Sequence, residues 1–522
     1  MATAMAMVTV MANKKKQITH FLSFSSFIAI FGSVPLSATG GEWTITPTIT
    51  VNETATDNVA LTATREKNDW ITDISPGIRI DGQGGRARLN LEYQLHQLYY
   101  AQDSYDTETQ NFLRANGSLE AIENWFFIDV EGSIQQQTIS PFQGVASPYV
   151  NTNGSNNSTE TSFYRLTPYF KGVLGASTDY QMRFDVATSR NDENKAFDSD
   201  TKQWGLNLKG ITGLASLGWG VDASYQDIEY GDGRSNEANT LRGILAYHVS
   251  PQFNLLLIGG HEVNDYLGNG MESSSIKGAG FEWSPTERTK LAATFEDRFF
   301  GNTNQIEFTH RTAGTAWRYS ESEDATALSN EQTVYGLGTN YDLFYNLFAS
   351  AIPDPAQRAA FVNAYLVANG VSPDAQLLGG YLNSGVALLH RRDFSFAITG
   401  ARNTITLAAS QTETSNLRDA LGSGVLIGDN LAVFQKIEQR GVSVSWSHKL
   451  TPLSTLVAMA GRLKSEGSGT SFEDIDQTNY HLNFQTRLGP NTNFGVGARR
   501  IVVEGTTNYK ENAVTGTLSH QF

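Results

Sequence analysis

The chain has 522 residues, 40% hydrophobic and 17% charged, with a mean hydropathy of −0.30; the charged share is below the ~25% usual in soluble domains. It has no cysteine and a net charge of −15, which excludes disulfides, thiol catalysis and cysteine metal sites and argues against a nucleic-acid partner. Past the N-terminal region no run of ~18 apolar residues occurs, so helical membrane spans are excluded as well.

Residues 1–38 read as a signal peptide. Lys14, Lys15 and Lys16 form the basic region, Ile18 to Val34 the apolar stretch, and Leu36-Ser37-Ala38 offers cleavage after Ala38. The apolar stretch is too short and serine-rich for an anchor, and Met11 is an alternative start. Loss of the three lysines takes the mature chain, 39–522, to a net charge of about −18.

From there on the dominant pattern has a period of two. In Arg88 to His96, Leu89, Leu91, Tyr93 and Leu95 share one face of a strand, while Arg88, Asn90, Glu92, Gln94 and His96 share the other. Trp70 to Asp81 sets Ile74, Ile78 and Ile80 against Asp73 and Arg79. Glu123 to Ile134 sets Phe126, Ile128 and Val130 against Asp129 and Glu131. Asp179 to Ala187 sets Met182 and Phe184 against Arg183 and Asp185. Lys290 to Phe299 sets Leu291 and Phe295 against Glu296 and Arg298, and Tyr480 to Leu488 sets Leu482 and Phe484 against His481 and Arg487. Long alternating strands, repeated along the chain and closed by a terminal aromatic, Phe522, predict an all-β fold: a single closed antiparallel up-and-down transmembrane barrel of roughly 20–22 strands. Phe522 is then the assembly signal, read by the barrel assembly machinery. Leu89, Leu91, Phe126, Ile128, Phe184, Phe295, Leu482 and Phe484 are expected to face lipid.

Val249-Ser250-Pro251, Trp283-Ser284-Pro285, Leu450-Thr451-Pro452 and Leu488-Gly489-Pro490 each close one strand, because proline pre-sets the φ of a tight turn. These short turns are expected in the periplasm. Longer polar connections, Thr138–Thr161 and Asn191–Thr201, are expected outside. Trp125, Tyr247, Phe253, Trp283 and Trp446 lie beside short turns, as an interfacial aromatic girdle requires.

Tyr341 to Gly370 breaks the alternation. Two helices are predicted, from Tyr341 to about Ile352 and from Pro355 to Asn369, the second with Asp354 as N-cap and Gly370 as stop. A helix cannot continue a barrel wall, so 341–370 is expected to be a plug or cap. The helices are expected to pack mainly on each other, Phe344, Leu347 and Phe348 meeting Phe361, Tyr365 and Leu366. About fourteen alternating segments precede this insertion and about seven follow, an odd total for a barrel that needs an even one. Either a further short strand lies near Gln332–Leu337, or the insertion carries the chain across the membrane level inside the lumen.

No catalytic motif stands out. His96, His261, His310 and Ser443 lack any triad spacing, and the acidic stretch Asp192, Glu193, Asp198 and Asp200 lacks the ligand ladder of a calcium loop. The expectation is a non-enzyme without metal or cofactor. The residues expected to line the pore are Arg79, Arg88, Glu92, Asp129, Glu131, Lys171, Arg183, Asp185, Glu296 and Arg298. They mix both signs, which suits neutral or weakly charged solutes such as sugars better than a one-sign selectivity ring; internal ion pairing that stiffens the wall is the equal alternative.

Several stretches resemble the outer-membrane β-barrel family associated with the PEP-CTERM/exosortase system, a porin-like branch tied to exopolysaccharide loci. They are Asp69 to Gly77, Arg88 to Tyr93, Trp283 to Thr289, Arg298-Phe299-Phe300-Gly301, Leu347 to Pro355 and Thr399 to Thr404, and they extend over most of the mature chain. Ile352-Pro353-Asp354-Pro355 is the most specific. His520 departs from the usual C-terminal barrel signal, standing where an aromatic is common. The resemblance implies a bacterial outer-membrane pore that helps exopolysaccharide or a related solute cross, among outer-membrane lipid and lipopolysaccharide, with periplasmic export partners and no catalytic residues. The alternative expectation is a non-transporting barrel that anchors surface polymer or proteins.

Overall fold

The computed structural model describes residues 41–143, 152, 157–175, 177–192, 194–214, 216–267, 270–326, 344, 345, 347, 348, 358, 362, 381–383, 385–417, 430–469 and 471–522. The signal-peptide expectation falls outside these residues. In chain order the strands are β1 (Glu42–Thr56), β2 (Asp69–Gln83), β3 (Ala87–Tyr100), β4 (Glu108–Ile122), β5 (Phe126–Thr138), β6 (Ser158–Leu174), β7 (Thr178–Asn191), β8 (Ser199–Ile211), β9 (Leu217–Tyr230), β10 (Ser235–Ser250) and β11 (Phe253–Asn264). The second half comprises β12 (Glu272–Thr286), β13 (Thr289–Arg298), β14 (Gly301–Arg311), β15 (Thr315–Thr326), β16 (Ala387–Thr399), β17 (Asn403–Asn416), β18 (Phe434–Thr451), β19 (Ser454–Gly469), β20 (Glu473–Gly489), β21 (Thr492–Gly505) and β22 (Tyr509–Gln521).

Each strand pairs antiparallel with its chain neighbours, and β22 closes on β1 from Thr48↔Gln521 to Thr56↔Ala513, making one 22-stranded ring without an edge. Phe522 follows the last strand residue and donates its N–H to the Pro47 carbonyl at 3.0 Å, so the terminal aromatic sits at the closing seam. With strands ~4.8 Å apart and tilted ~40°, a circular ring of this size has a backbone diameter of about 44 Å.

Fifteen strands precede the insertion and seven follow it. The count of fourteen was one short upstream, and neither resolution of the odd total is needed. The chain leaves β15 and returns to β16 at the same rim. That rim carries the long connections; the opposite rim carries the short turns, the start of β1 and the end of β22, and is therefore periplasmic. Pro251, Pro452 and Pro490 lie in these short turns, whereas Pro285 lies inside β12, where the register slips between Trp283 and Thr286.

The alternation decides the two faces. Register places Leu89, Leu91, Phe126, Ile128, Phe184, Phe295, Leu482 and Phe484 on one continuous face around the ring. This face also carries exposed Leu245, Leu257, Trp283, Trp317, Trp446 and Val514, and it faces outward. The opposite face holds contacts between distant elements, which fit only inside a ring: the Thr152 carbonyl accepts from Tyr100 Oη at 3.4 Å, and Arg499 Nη2 reaches Thr152 Oγ1 at 3.5 Å. Most strands contribute two to four outward apolar side chains above the periplasmic turn, such as Tyr180, Met182, Phe184 and Val186 on β7. Polar residues follow, such as Thr188 and Arg190. The wall thus continues beyond the lipid on the extracellular side.

Candidate functional site

The site is the inner wall and what projects from it. All ten charged residues singled out for the lumen, Arg79, Arg88, Glu92, Asp129, Glu131, Lys171, Arg183, Asp185, Glu296 and Arg298, fall by register on the inner face. Most are not free charges. Arg79 Nε binds Asp81 Oδ2 at 2.7 Å, Arg183 binds Asp185 at 3.1 Å, and Arg165 lies 3.7 Å from Glu131. Arg242 binds Glu296 at 3.0 Å; Arg298 binds Glu262 at 2.7 Å and lies 3.9 Å from Glu296 and 3.7 Å from Asp324. Glu92 accepts from Gln94 Nε2 at 3.1 Å. Lys171 stands 4.1 Å over the Phe127 ring, itself stacked on Tyr169 at 5.1 Å. Arg88 is exposed.

Sequence reasoning missed the partners. Asp81, Arg165, Arg242, Glu262 and Asp324 share the parity of the residues they bind, so alternation gives their face. Which strand lies beside which, and at what register, is non-local. The same holds for a buried cluster on β2 and β3. Ser75 Oγ lies 2.9 Å and Asp73 Oδ2 3.0 Å from the same His96 nitrogen, Nδ1, and Ser75 also donates to Asp73 at 2.7 Å. In a nucleophilic triad serine and carboxylate sit on opposite ring nitrogens, so this cluster fixes the ring rather than activating the serine. His261 and His310 lie on the outward face, away from it.

The acidic stretch of the β7–β8 connection is used locally. Asp200 pairs with Arg190 at 2.7 Å, and Asp198 accepts the Asn191 N–H at 2.7 Å. Burial pushes the Asp198 carboxyl upward, against the pull of that hydrogen bond and of Arg190 and Lys195. Among the described residues no three potential metal ligands come together.

The insertion enters the barrel. Phe344, Leu347 and Val362 are buried in one cluster with Ala316 and Ala397, and Tyr345 and Phe348 pack against it. Phe344, Tyr345, Leu347, Arg358 and Val362 are helical, and the Arg358 guanidinium stands 4.1 Å over the Tyr345 ring. Ala316 and Ala397 are register partners on the inner face, one residue from the periplasmic end of β15 and two from that of β16. The insertion starts ten residues away at Thr326, about 33 Å along the strand and about 25 Å along the barrel axis. The chain therefore passes from the extracellular rim at Thr326 to the periplasmic end of the lumen at Phe344. Residues of both expected helices meet, Val362 and Arg358 against Phe344, Tyr345 and Leu347, and the same cluster also touches the wall. The wall is not uniformly polar: the facing alanines leave an apolar dent that receives Phe344. Phe361, Tyr365 and Leu366 fall outside the described residues.

The extracellular mouth is also spanned. Phe142, Tyr381, Ala387, Leu431, Phe434 and Ile437 form a second buried cluster, with the Phe142 and Phe434 rings 4.6 Å apart. Leu382 donates to the Thr138 carbonyl at 3.0 Å, Ser140 Oγ to Asn430 Oδ1 at 2.9 Å, and Asn430 Nδ2 to the Ile139 carbonyl at 3.0 Å. Thr138 ends β5, which is diametrically opposite β16 in the ring. Tyr381 lies six residues before β16, a reach of about 20 Å. That is under half of a circular diameter, so opposite walls are drawn together at the mouth.

No protein-family model matches the chain, and no curated protein is recognisably similar to it. Among solved structures it is similar to the FrpB iron transporter from Neisseria meningitidis (10% identity, 91% of this chain and 82% of that one, TM-score 0.48). It is also similar to the siderophore receptors PirA from Acinetobacter baumannii (7%, 92% and 80%, TM-score 0.46) and PirA from Pseudomonas aeruginosa (8%, 92% and 80%, TM-score 0.41). At such identities and scores no functional argument follows, and the ring rests on the chain's own pairing. A closed 22-stranded ring with an apolar outer belt, a polar inner wall, and short turns at one rim against long connections at the other defines the class: this is a bacterial outer-membrane β-barrel.

Proposed function

We propose that the protein is an outer-membrane pore for exopolysaccharide or a related solute, held closed at rest by its own insertion. The observation that carries this reading is the seating of Phe344, Leu347 and Val362 on Ala316 and Ala397, at the far end of the lumen from where the insertion starts. A 22-stranded ring is too wide for wall side chains to fill, so something else has to occupy it. Among the described residues the contact is a few apolar side chains against two alanines, which suits an element that moves aside. Paired charges along the wall leave little net field, and a hydrated wall of that kind suits a neutral or weakly charged chain. The resemblance to exopolysaccharide-locus barrels supplies the solute class.

The alternative reading, a barrel that only anchors surface polymer, draws on the spanned mouth. Planar-bilayer recordings separate the two. Replacing residues 341–370 with a short Gly/Ser bridge should raise single-channel conductance severalfold, and addition of polysaccharide should then block the current. Unchanged conductance in a deletion variant that still folds and inserts refutes the plug and favours the anchor.

A further inference from the structure

Phe127 and Tyr169 are register partners on β5 and β6, and both rings stand on the inner face. Their planes are 13° apart with centroids at 5.1 Å, and each side chain is half-buried. Among the described residues they belong to none of the buried apolar clusters. Asp129 and Thr167 lie in the next row toward the extracellular side, and Glu120 and Arg183 flank the pair in its own row. Lys171 lies on the periplasmic side, over the Phe127 ring.

Most of these neighbours are engaged. Thr167 donates to Asp185 at 2.6 Å, Arg183 binds the same carboxylate at 3.1 Å, and Glu120 accepts the Asn124 N–H at 2.5 Å. Arg183 also lies over Gly205 of β8, on the side away from Tyr169. Asp129 is the exception. The two cations that act on it, Arg183 and Lys171, are taken by Asp185 and by the Phe127 ring. Among the described residues its carboxylate accepts no hydrogen bond and forms no ion pair, and the Tyr169 hydroxyl has no hydrogen-bond partner.

We propose that Phe127, Tyr169 and Asp129 form a capture site for one hexopyranose unit of an uncharged glycan at the periplasmic end of the lumen. A pyranose ring has an apolar C–H face, whose hydrogens suit the negative face of an aromatic ring. Around its edge it carries adjacent hydroxyls, which a carboxylate without other partners accepts in pairs. Both charge signs close by select against charged solutes: Asp129 and Glu120 repel anions, and Lys171 and Arg183 repel cations. Phe127 is one residue from the periplasmic end of β5, as Ala316 is on β15, across the ring. The glycan is therefore met on the wall opposite the seat of the insertion, before that seat is vacated. The proposal rests on the pore reading for the passage that follows capture.

Saturation-transfer NMR and calorimetric titration of the full-length protein in detergent, with cellotetraose as probe, test this. Saturation should be strongest on the axial C–H protons of the sugar. Tyr169→Ala and Asp129→Ala should each raise the Kd roughly tenfold, as expected for one lost stacking or charge-assisted contact. Tetragalacturonate, of the same length but anionic, should bind at least roughly tenfold more weakly than cellotetraose. Heat-modifiable mobility on gels verifies folding, and the lumen variant Asp129→Ala remains decisive if Tyr169→Ala misfolds. Absence of cellotetraose binding to the parent overturns the proposal, as does an unchanged Kd in folded Asp129→Ala or equal binding of tetragalacturonate. Binding is read in the closed protein at equilibrium, so its failure leaves the conductance test of the 341–370 replacement standing, and failure of that test leaves the binding result standing.

Discussion

Phe184 offers a direct test of the face assignment. It lies in the middle of the outward belt on β7, between its register partners Pro168 and Trp204, with Met182 and Val186 along its own strand. No outward acidic residue occupies these neighbouring positions. The next polar row, at Thr188, is four residues away, about 13 Å along the strand and about 10 Å along the axis. An arginine side chain spans roughly 7 Å, so at position 184 it cannot bring its charge fully out of the lipid. Phe184→Arg should therefore bear most of the ~2–4 kcal/mol cost of a mid-membrane charge, a roughly 30- to 700-fold shift in the folding equilibrium. Gln203→Arg, on the adjacent strand β8 but on the inner face opposite Asp185 and Gln226, should stay within about 0.5 kcal/mol of the parent. The assay is urea titration of each variant in lipid vesicles, read by heat-modifiable gel mobility. Equal midpoints for the two variants would refute the assignment of faces.

Arg298→Ala leaves the buried Glu262 without its charge partner and should cost about 3–5 kcal/mol, whereas Arg298→Met with Glu262→Leu should recover most of it; urea midpoints check both. Phe522 is 70% exposed and held by its backbone N–H, so its deletion should lower outer-membrane yield in cells yet leave the urea midpoint of refolded protein within about 0.5 kcal/mol. The chain has no cysteine, so Phe142→Cys with Phe434→Cys creates a single pair at the spanned mouth. Air oxidation should link them, shown by a gel shift reversed by reductant, and lock the mouth; failure to cross-link in folded protein would show that the two sides do not meet in the membrane.

Much of this was legible because strand alternation is local. A side chain's face depends on parity alone, so Leu482 and Arg183 could be sorted to opposite faces from their immediate neighbours. Proline turns marked several strand ends for the same reason. The strand count was less secure, because short strands such as β13 and β14, joined only by Phe299 and Phe300, blur into one another when read along the chain.

The amino-acid sequence by itself therefore determined the class of the wall: period-two alternation, an oily face and a wet face, and an aromatic end. Only the tertiary structure decided what that wall does to its own contents. Arg298 meets Glu262, and Ser75 meets His96, because the register between strands brings together residues 36 and 21 positions apart in the chain. Phe344 finds Ala316 and Ala397 because two small residues face each other on an inner wall that otherwise favours polar groups. The mouth narrows because loops from opposite sides of the ring carry enough apolar surface to hold each other. These contacts depend on which segments the closed ring brings together in space, and parity along a single strand carries no information about that.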